Sequence, residues 1–253
     1  MHDVGITDGD GGDLGCFQVR SDSRGVANAT NKWLIPGRAC EIAAATATNL
    51  AGRRIVLLDR ADVAAELMLL HASLRRHSLL MAVDLAISAD TPLPPDGSCR
   101  PIDPAHIQDY GMIVSRAYPP DHPDHEPADA DPHHAADSIL TYLTGTEIGP
   151  LIAEASAEAV DRNGRVVGGI IVNGIGASLE FEGGPWITDL FVDPDSVGCG
   201  VGTSLLTRAI AQLRLAGYTT LGLAVTFDNP AQRLYRRLGW STRHEIWRMQ
   251  LAG

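Results

Sequence analysis

The sequence predicts an α/β (more strictly α+β) fold: a mixed, mostly antiparallel sheet flanked by helices and preceded by an N-terminal extension. Two apolar runs flanking Asn163-Gly164 read as a hairpin, because both central residues of a tight hairpin turn must tolerate positive φ. A strand from Trp186 to Val192 enters a glycine-rich turn and then an amphipathic helix. Another strand, Thr219 to Thr226, follows that helix.

Taken in chain order, residues 1–38 are rich in Gly, Asp and Ser, show no periodicity and are expected as a flexible tail. Arg54 to Leu58 reads as a strand, and Asp59 or Asp62 as the cap of a helix reaching about Arg76. Ser78 to Ile87 fits either a strand or a continuation of that helix. Thr91-Pro92-Leu93-Pro94-Pro95-Asp96-Gly97 is a stiff breaker and is expected as a linker, so the domains are placed at 39–97 and 98–253. Beyond it, Ser98 to Ile102 suggests a strand and Pro104 to Tyr118 a helix. A loop rich in Pro, His and Asp over 119–135 precedes a second helix from Ala136 to Leu143. Ala155 to Val160 and Arg165 to Val172 are the hairpin strands. No internal repeat is visible in the sequence.

With 253 residues the chain has room for one large domain, or one ordinary domain and an appendage. A net charge of −11 argues against nucleic acid, whose phosphates need a basic footprint, and weakly favours cationic substrates. Cys16, Cys40, Cys99 and Cys199 are scattered and form no C-x-x-C pair, so neither zinc nor redox chemistry is indicated. Met1-His2-Asp3 opens an acidic, glycine-rich segment, the wrong chemistry for a signal peptide. The most apolar stretch, Val63 to Ile87, is interrupted by Arg75, Arg76 and His77, which speaks against a membrane span. A cytoplasmic location is the expectation.

The run from Val192 to Leu206 carries the chemistry. Its glycines remove side chains where backbone N–H groups approach an anion, and the helix start adds unpaired donors and partial positive charge. Val201, Leu205, Leu206, Ala209, Leu213 and Ala216 share one helical face, with Gly217 as the stop. A Walker loop would need a lysine, and none is present. Only 55 residues follow Gly198, too few for the two halves of a dinucleotide fold.

Val197-Gly198-Cys199-Gly200-Val201-Gly202 instead resembles the pyrophosphate loop of GNAT acetyltransferases, Arg/Gln-x-x-Gly-x-Gly/Ala, at every position but the first. Asn229-Pro230-Ala231-Gln232-Arg233-Leu234-Tyr235-Arg236-Arg237-Leu238-Gly239-Trp240 resembles that family's Asn-x-x-Ala-x-x-Leu-Tyr-x-x-x-Gly-Phe segment, with Asn229 one residue too close to Tyr235. The resemblance covers about 98–253, and its specific part about 186–240.

The resemblance implies acetyl transfer from acetyl-CoA to a primary amine. The cofactor would lie on Leu190, Phe191 and Val192, on Val197 to Thr203, and on Asn229. Val192 N–H would polarise the acetyl carbonyl, and Tyr235 would protonate the leaving thiolate. The structural alternatives are that Tyr235 packs beside Leu234 and Leu238, and that Asn229 caps the helix opened by Pro230. Arg233, Arg236 and Arg237 fit either CoA phosphates or a solvated face. The family's glutamate base is missing, since its expected positions hold Trp186 or Thr188. Asp189 is the nearest carboxylate and is assigned as the base through water; Glu180 and Glu182 rank behind it. Asp121 to Asp137 holds six acids, four histidines and no Lys or Arg, either an acidic rim for a cationic amine or a solvated loop. His122, His125, His133 and His134 lack helical metal-ligand spacing, and no metal is expected.

The acceptor is expected to be a small cationic molecule, with neither nucleic acid nor membrane as partner. A protein N-terminus or lysine, or a non-catalytic acyl-CoA-binding sensor, stays open. Residues 1–97 fit an oligomerisation arm (hence a homodimer), a degenerate second domain or a lid.

Overall fold

A computed structural model describes residues 1–21, 27–86, 98–146 and 148–253. The chain divides into two compact units, one of Met1–Leu80 with Thr242–Gly253 and one of Met81–Ser241. The division therefore falls before the expected boundary at 97/98, and the last residues belong with the first unit. The expected linker Thr91–Gly97 lies outside the described residues.

In the first unit, β1 (His2–Thr7), β2 (Asp13–Ser21) and β3 (Ala27–Leu34) pair antiparallel. Residues 1–38 are thus largely strand rather than a tail. Leu14, Phe17, Val19 and Ala29 go inward while their polar neighbours stay outside, a weak alternation that the Gly, Asp and Ser content masks. Helix α1 (Ala39–Asn49) leads to β4 (Arg54–Leu58), parallel to β3. Helix α2 (Ala61–Leu69) stops well before Arg76, because His71 takes a left-handed φ of 65° and β5 (Ser73–Asp84) begins at once. Neither aspartate caps α2: its N-cap is Arg60, without a side-chain bond, and Asp59 instead accepts from the Glu245 N–H at 2.8 Å. Ile42, Ile55, Leu57, Val63, Leu67, Trp247 and Met249 fill the core.

The second unit takes in the end of β5 from Met81 and continues with β6 (Cys99–Pro101) and α3 (Ile107–Ala117), the helix preceded by a 3-10 turn at Pro104–His106. Helix α4 (Pro132–Thr144) starts earlier than expected, because Asp131 caps it, accepting from His133 N–H at 2.9 Å, with Pro132 at the first position. Strands β7 (Ala157–Val160), β8 (Val166–Ile175) and β9 (Gly184–Val192) form an antiparallel meander. In the first hairpin only Gly164 has positive φ, at 81°, so Asn163 contributes its local preference but not a left-handed turn. Every residue of β8 from Val166 to Asn173 is buried, as in a strand covered on both faces. Helix α5 (Val201–Leu215) buries Leu205, Leu206, Ala209 and Leu213, while Ala216 is exposed past its end. Strand β10 (Thr220–Thr226) and helix α6 (Gln232–Arg237) follow. The last strand, β11 (Ser241–Gln250), pairs antiparallel with β4.

Candidate active site

The site grows out of β9. Its register against β8 steps from Ile171↔Asp189 to Val172↔Ile187, leaving Thr188 as an extra, bulged residue. On its other edge β9 pairs with β10 at Trp186↔Gly222, the single pair recorded between them. From Ile187 to Val192 that edge has no partner strand among the described residues. Asp193 N–H donates to Val167 O at 2.9 Å, so strand alternation turns the Val192 amide toward the open edge.

At the end of β9, Gly198 and Gly200 hold φ of 84° and 85°, a conformation L-residues avoid, and Gly200 is the N-cap of α5. The amides of Val197 and Cys199 are used within the turn, donating to Pro194 O at 3.3 Å and Ser196 O at 3.2 Å. Those of Gly198, Gly200, Val201, Gly202 and Thr203 have no acceptor among the described residues, and the first bond of the helix is Ser204 N–H to Gly200 O. A side chain at Gly198 or Gly200 would meet nothing within 4 Å, so the cradle opens outward. Phe191 is buried in the core and, two residues before Asp193, turns its backbone toward β8, so it offers neither side chain nor backbone to the open edge; Val197 is 69% exposed.

Beside the open edge, the Tyr118 hydroxyl lies 3.2 Å from Asp189 Oδ1 and 3.0 Å from Leu190 O. Leu190 therefore does not offer both backbone groups to a ligand: its carbonyl is occupied and its N–H supports the Asp189 carboxylate. Burial pushes Asp189 up to about 7; the Tyr118 hydrogen bond opposes this, and Asp129 and Asp124 add to it. Tyr235 is 7% exposed, its ring 5.8 Å from that of Trp240. Burial first, then Asp124 and Asp189, hold its phenol well above its ordinary value, so it keeps its proton.

The loop over 119–135 is organised rather than loose. Asp124 accepts from Thr226 N–H at 3.2 Å, from the Thr226 hydroxyl and from Asn229 Nδ2. Asn229 Oδ1 in turn accepts from Ala231 N–H at 2.7 Å. Both ends of the Asn229 amide are thereby used inside the protein, but Asn229 is not the expected cap: its bond to Ala231 closes a turn ahead of α6, whose N-cap is Ala231 and whose first residue is Gln232 rather than Pro230. His125 Nδ1 lies 2.7 Å from Tyr118 O, and a carbonyl can only accept, so this nitrogen carries the proton. Among the described residues no three His, Cys, Asp or Glu are placed to hold a metal. Glu180 is 3.3 Å from the Ser178 hydroxyl and Glu182 is exposed, so neither is bound to the Asp189 cluster.

Sequence reasoning missed Tyr118 and Asp124. Tyr118 ends α3 just before the acidic run and Asp124 lies within it, but their partners lie 71 and 102 residues further along the chain.

A model of the acetyltransferase (GNAT) family matches residues 113–240. No curated protein sequence gave a significant match. Among solved structures, the fold is similar to a GCN5-related N-acetyltransferase from Sphaerobacter thermophilus: TM-score 0.59, 17% identity, 99% of this chain and 81% of that one. It is similar also to a GNAT-family acetyltransferase from Colwellia psychrerythraea, with TM-score 0.58, 10% identity and coverage of 97% and 84%. A tandem GNAT protein from the clavulanic acid biosynthesis pathway gives 0.51 at 17% identity, over 96% and 81%.

Proposed function

The chain belongs to the GNAT acetyltransferase family, and on that footing we propose that it transfers an acetyl group from acetyl-CoA to the amino group of a small cationic acceptor. The observation that carries this reading is the open edge of β9, which runs from the Asp189–Tyr118 pair to a cradle of unpaired amides. The residues fit the cofactor: amides at a glycine turn and helix start suit a diphosphate, and a free strand edge suits an amide-bearing arm. Bound there, acetyl-CoA supplies an acetyl group activated as a thioester.

The rest is the work of this chain. Gly198, Gly200, Val201, Gly202 and Thr203 hold the anion, and Val192 N–H stands ready as a donor to a developing oxyanion. Asp189 Oδ receives the proton that an ammonium must lose. An alkyl ammonium has pKa ~10, so transfer to a carboxylate at about 7 is uphill by roughly 4 kcal/mol, far easier than to one at 3.8. Tyr235 Oη keeps its proton through neutral pH and is the acid of the pair. Asp124, Glu126, Asp129 and Asp189 make the surroundings acidic, which favours a cation and opposes an anionic acceptor.

Free-thiol release from acetyl-CoA, measured over a panel of diamines, aminoglycosides, amino-acid amides and lysine peptides, tests the assignment. Turnover on small cations is the expected result. Turnover confined to peptides would move the reading to a protein acetyltransferase. Tight binding without turnover on any amine would favour a sensor, a reading that leans on the exposed Val197 where the family places Arg or Gln.

A further inference from the structure

The two units repeat one another. In the first, the antiparallel meander β1-β2-β3 passes through α1 into parallel β4, then α2 and β5. Later in the chain, the meander β7-β8-β9 passes through α5 into parallel β10, then α6 and β11, of which the residues from Thr242 belong to the first unit as those of β5 from Met81 belong to the second. The agreement reaches single residues. Leu34, last in β3, pairs with Gly15; Val192, last in β9, pairs with Gly168. The next amide bonds back in both: Ile35 N–H to Leu14 O at 3.0 Å, and Asp193 N–H to Val167 O at 2.9 Å. A Cβ on Gly15 would stand 2.8 Å from Trp33 O, and one on Gly168 would stand 2.8 Å from Phe191 O. Each strand end is followed by one residue and a proline, Pro36 or Pro194.

We infer that the N-terminal unit is a second copy of the acyl-CoA-binding core whose cofactor slot has been closed by its own side chains, so that each chain takes one cofactor molecule.

Closure shows at both ends of the slot. Where β9 and β10 share one recorded pair, β3 and β4 share three, Asn28↔Arg54, Ala29↔Ile55 and Thr30↔Val56. The next residue, Asn31, extends the zipper with its side chain: Oδ1 accepts from Leu58 N–H at 2.7 Å, and Nδ2 lies 3.5 Å from Leu58 O. Asn31 stands three residues before Leu34, as Asp189 stands three before Val192, but the bulges fall differently: Asn31 lies opposite Phe17, two past Gly15, and Asp189 opposite Ile171, three past Gly168. Arg60 adds a bond to Ile35 O at 3.3 Å.

The start of α1 is the wrong sign for a diphosphate. Its N-cap is Arg38, not glycine, and Glu41 sits in the first turn. Arg38 is occupied by Glu41 at 2.7 Å and by Asp8 at 2.9 Å. Two carboxylates against one guanidinium leave net negative charge where an anion would dock.

The stoichiometry rests on the function proposed for the second unit; the closure does not. Titration calorimetry of the full chain with CoA should give one site, and Gly198→Glu, which puts a carboxylate into the open cradle, should abolish it. Two sites, or one that survives Gly198→Glu with unchanged affinity, would overturn the inference. Hydrogen exchange reads the Asn31 zipper without any cofactor. Leu58 N–H should be protected in the wild type, at least about tenfold less so in Asn31→Ala, and still protected in Asn31→Asp, which keeps an acceptor oxygen. An exchange rate at Leu58 that ignores Asn31→Ala would sink the closure, even if CoA gave no heat and the function proposed for the second unit failed.

Discussion

The Tyr118 hydroxyl stands between two acceptors, Asp189 Oδ1 at 3.2 Å and Leu190 O at 3.0 Å, and has one proton to give. When Asp189 is ionised, that proton turns to the carboxylate. When Asp189 is protonated, its own O–H donates to the Tyr118 oxygen, and Tyr118 satisfies Leu190. Both charge states of Asp189 are therefore accommodated without moving the backbone, as suits a group that gains and loses a proton.

Asp189→Asn should lower kcat by about a hundredfold or more and remove the acid limb of the pH–rate profile. That limb lies near 7, with activity present above it and lost below, because the working form is the carboxylate. A limb unchanged in Asp189→Asn would exclude Asp189 as the base.

The same carboxyl makes a stability prediction of opposite sign. Its folded pKa of about 7 exceeds the ordinary 3.8, so its contribution is full below about 4 and lost as pH rises through 7. Asp189→Asn should therefore gain relative to wild type by roughly 4 kcal/mol between pH 4 and pH 8. Urea denaturation at the two pH values measures it.

Tyr118→Phe removes the hydrogen bond that holds Asp189 down against burial. The acid limb should move to higher pH, by roughly half a unit to one unit. A shift to lower pH would show that Tyr118 stabilises the neutral acid instead.

Tyr235→Phe keeps the ring against Trp240 and deletes only the hydroxyl. The expected effect is a fall in kcat of about a hundredfold with KM and melting temperature nearly unchanged. Equal loss of stability and activity would return Tyr235 to a packing role.

Asp124→Ala frees Thr226 N–H and the Asn229 amide from their shared carboxylate. Stability should drop by about 1–3 kcal/mol in a urea titration, with KM for the amine rising more than KM for acetyl-CoA. Equal changes in the two KM values would detach Asp124 from the acceptor side.

Local chemistry and spacing were enough to read the cradle. The glycine turn, the helix face of Leu205, Leu206, Ala209 and Leu213, and the strand Trp186–Val192 each act over a few residues and stand in the structure. Ala216, read on the same face, is exposed, and the positive φ of Gly198 and Gly200 was not foreseen. Tyr118 and Asp124 were invisible for the converse reason. A tyrosine at a helix end and one aspartate among several acquire meaning only when β9 and β10 bring Asp189, Thr226 and Asn229 to them. The duplicated N-terminal unit was hidden more deeply. Backbone pairing does not depend on side-chain identity, so β1 to β4 could keep the topology while carrying no glycine cap and an acidic first turn where a motif is looked for. Sequence alone determined the strand, the glycine turn and the helix that follow one another from Trp186 to Leu215, and the family they resemble. Which protons surround it, and that the first unit shares its architecture with the slot closed, was decided by tertiary structure, because those contacts join residues far apart along the backbone.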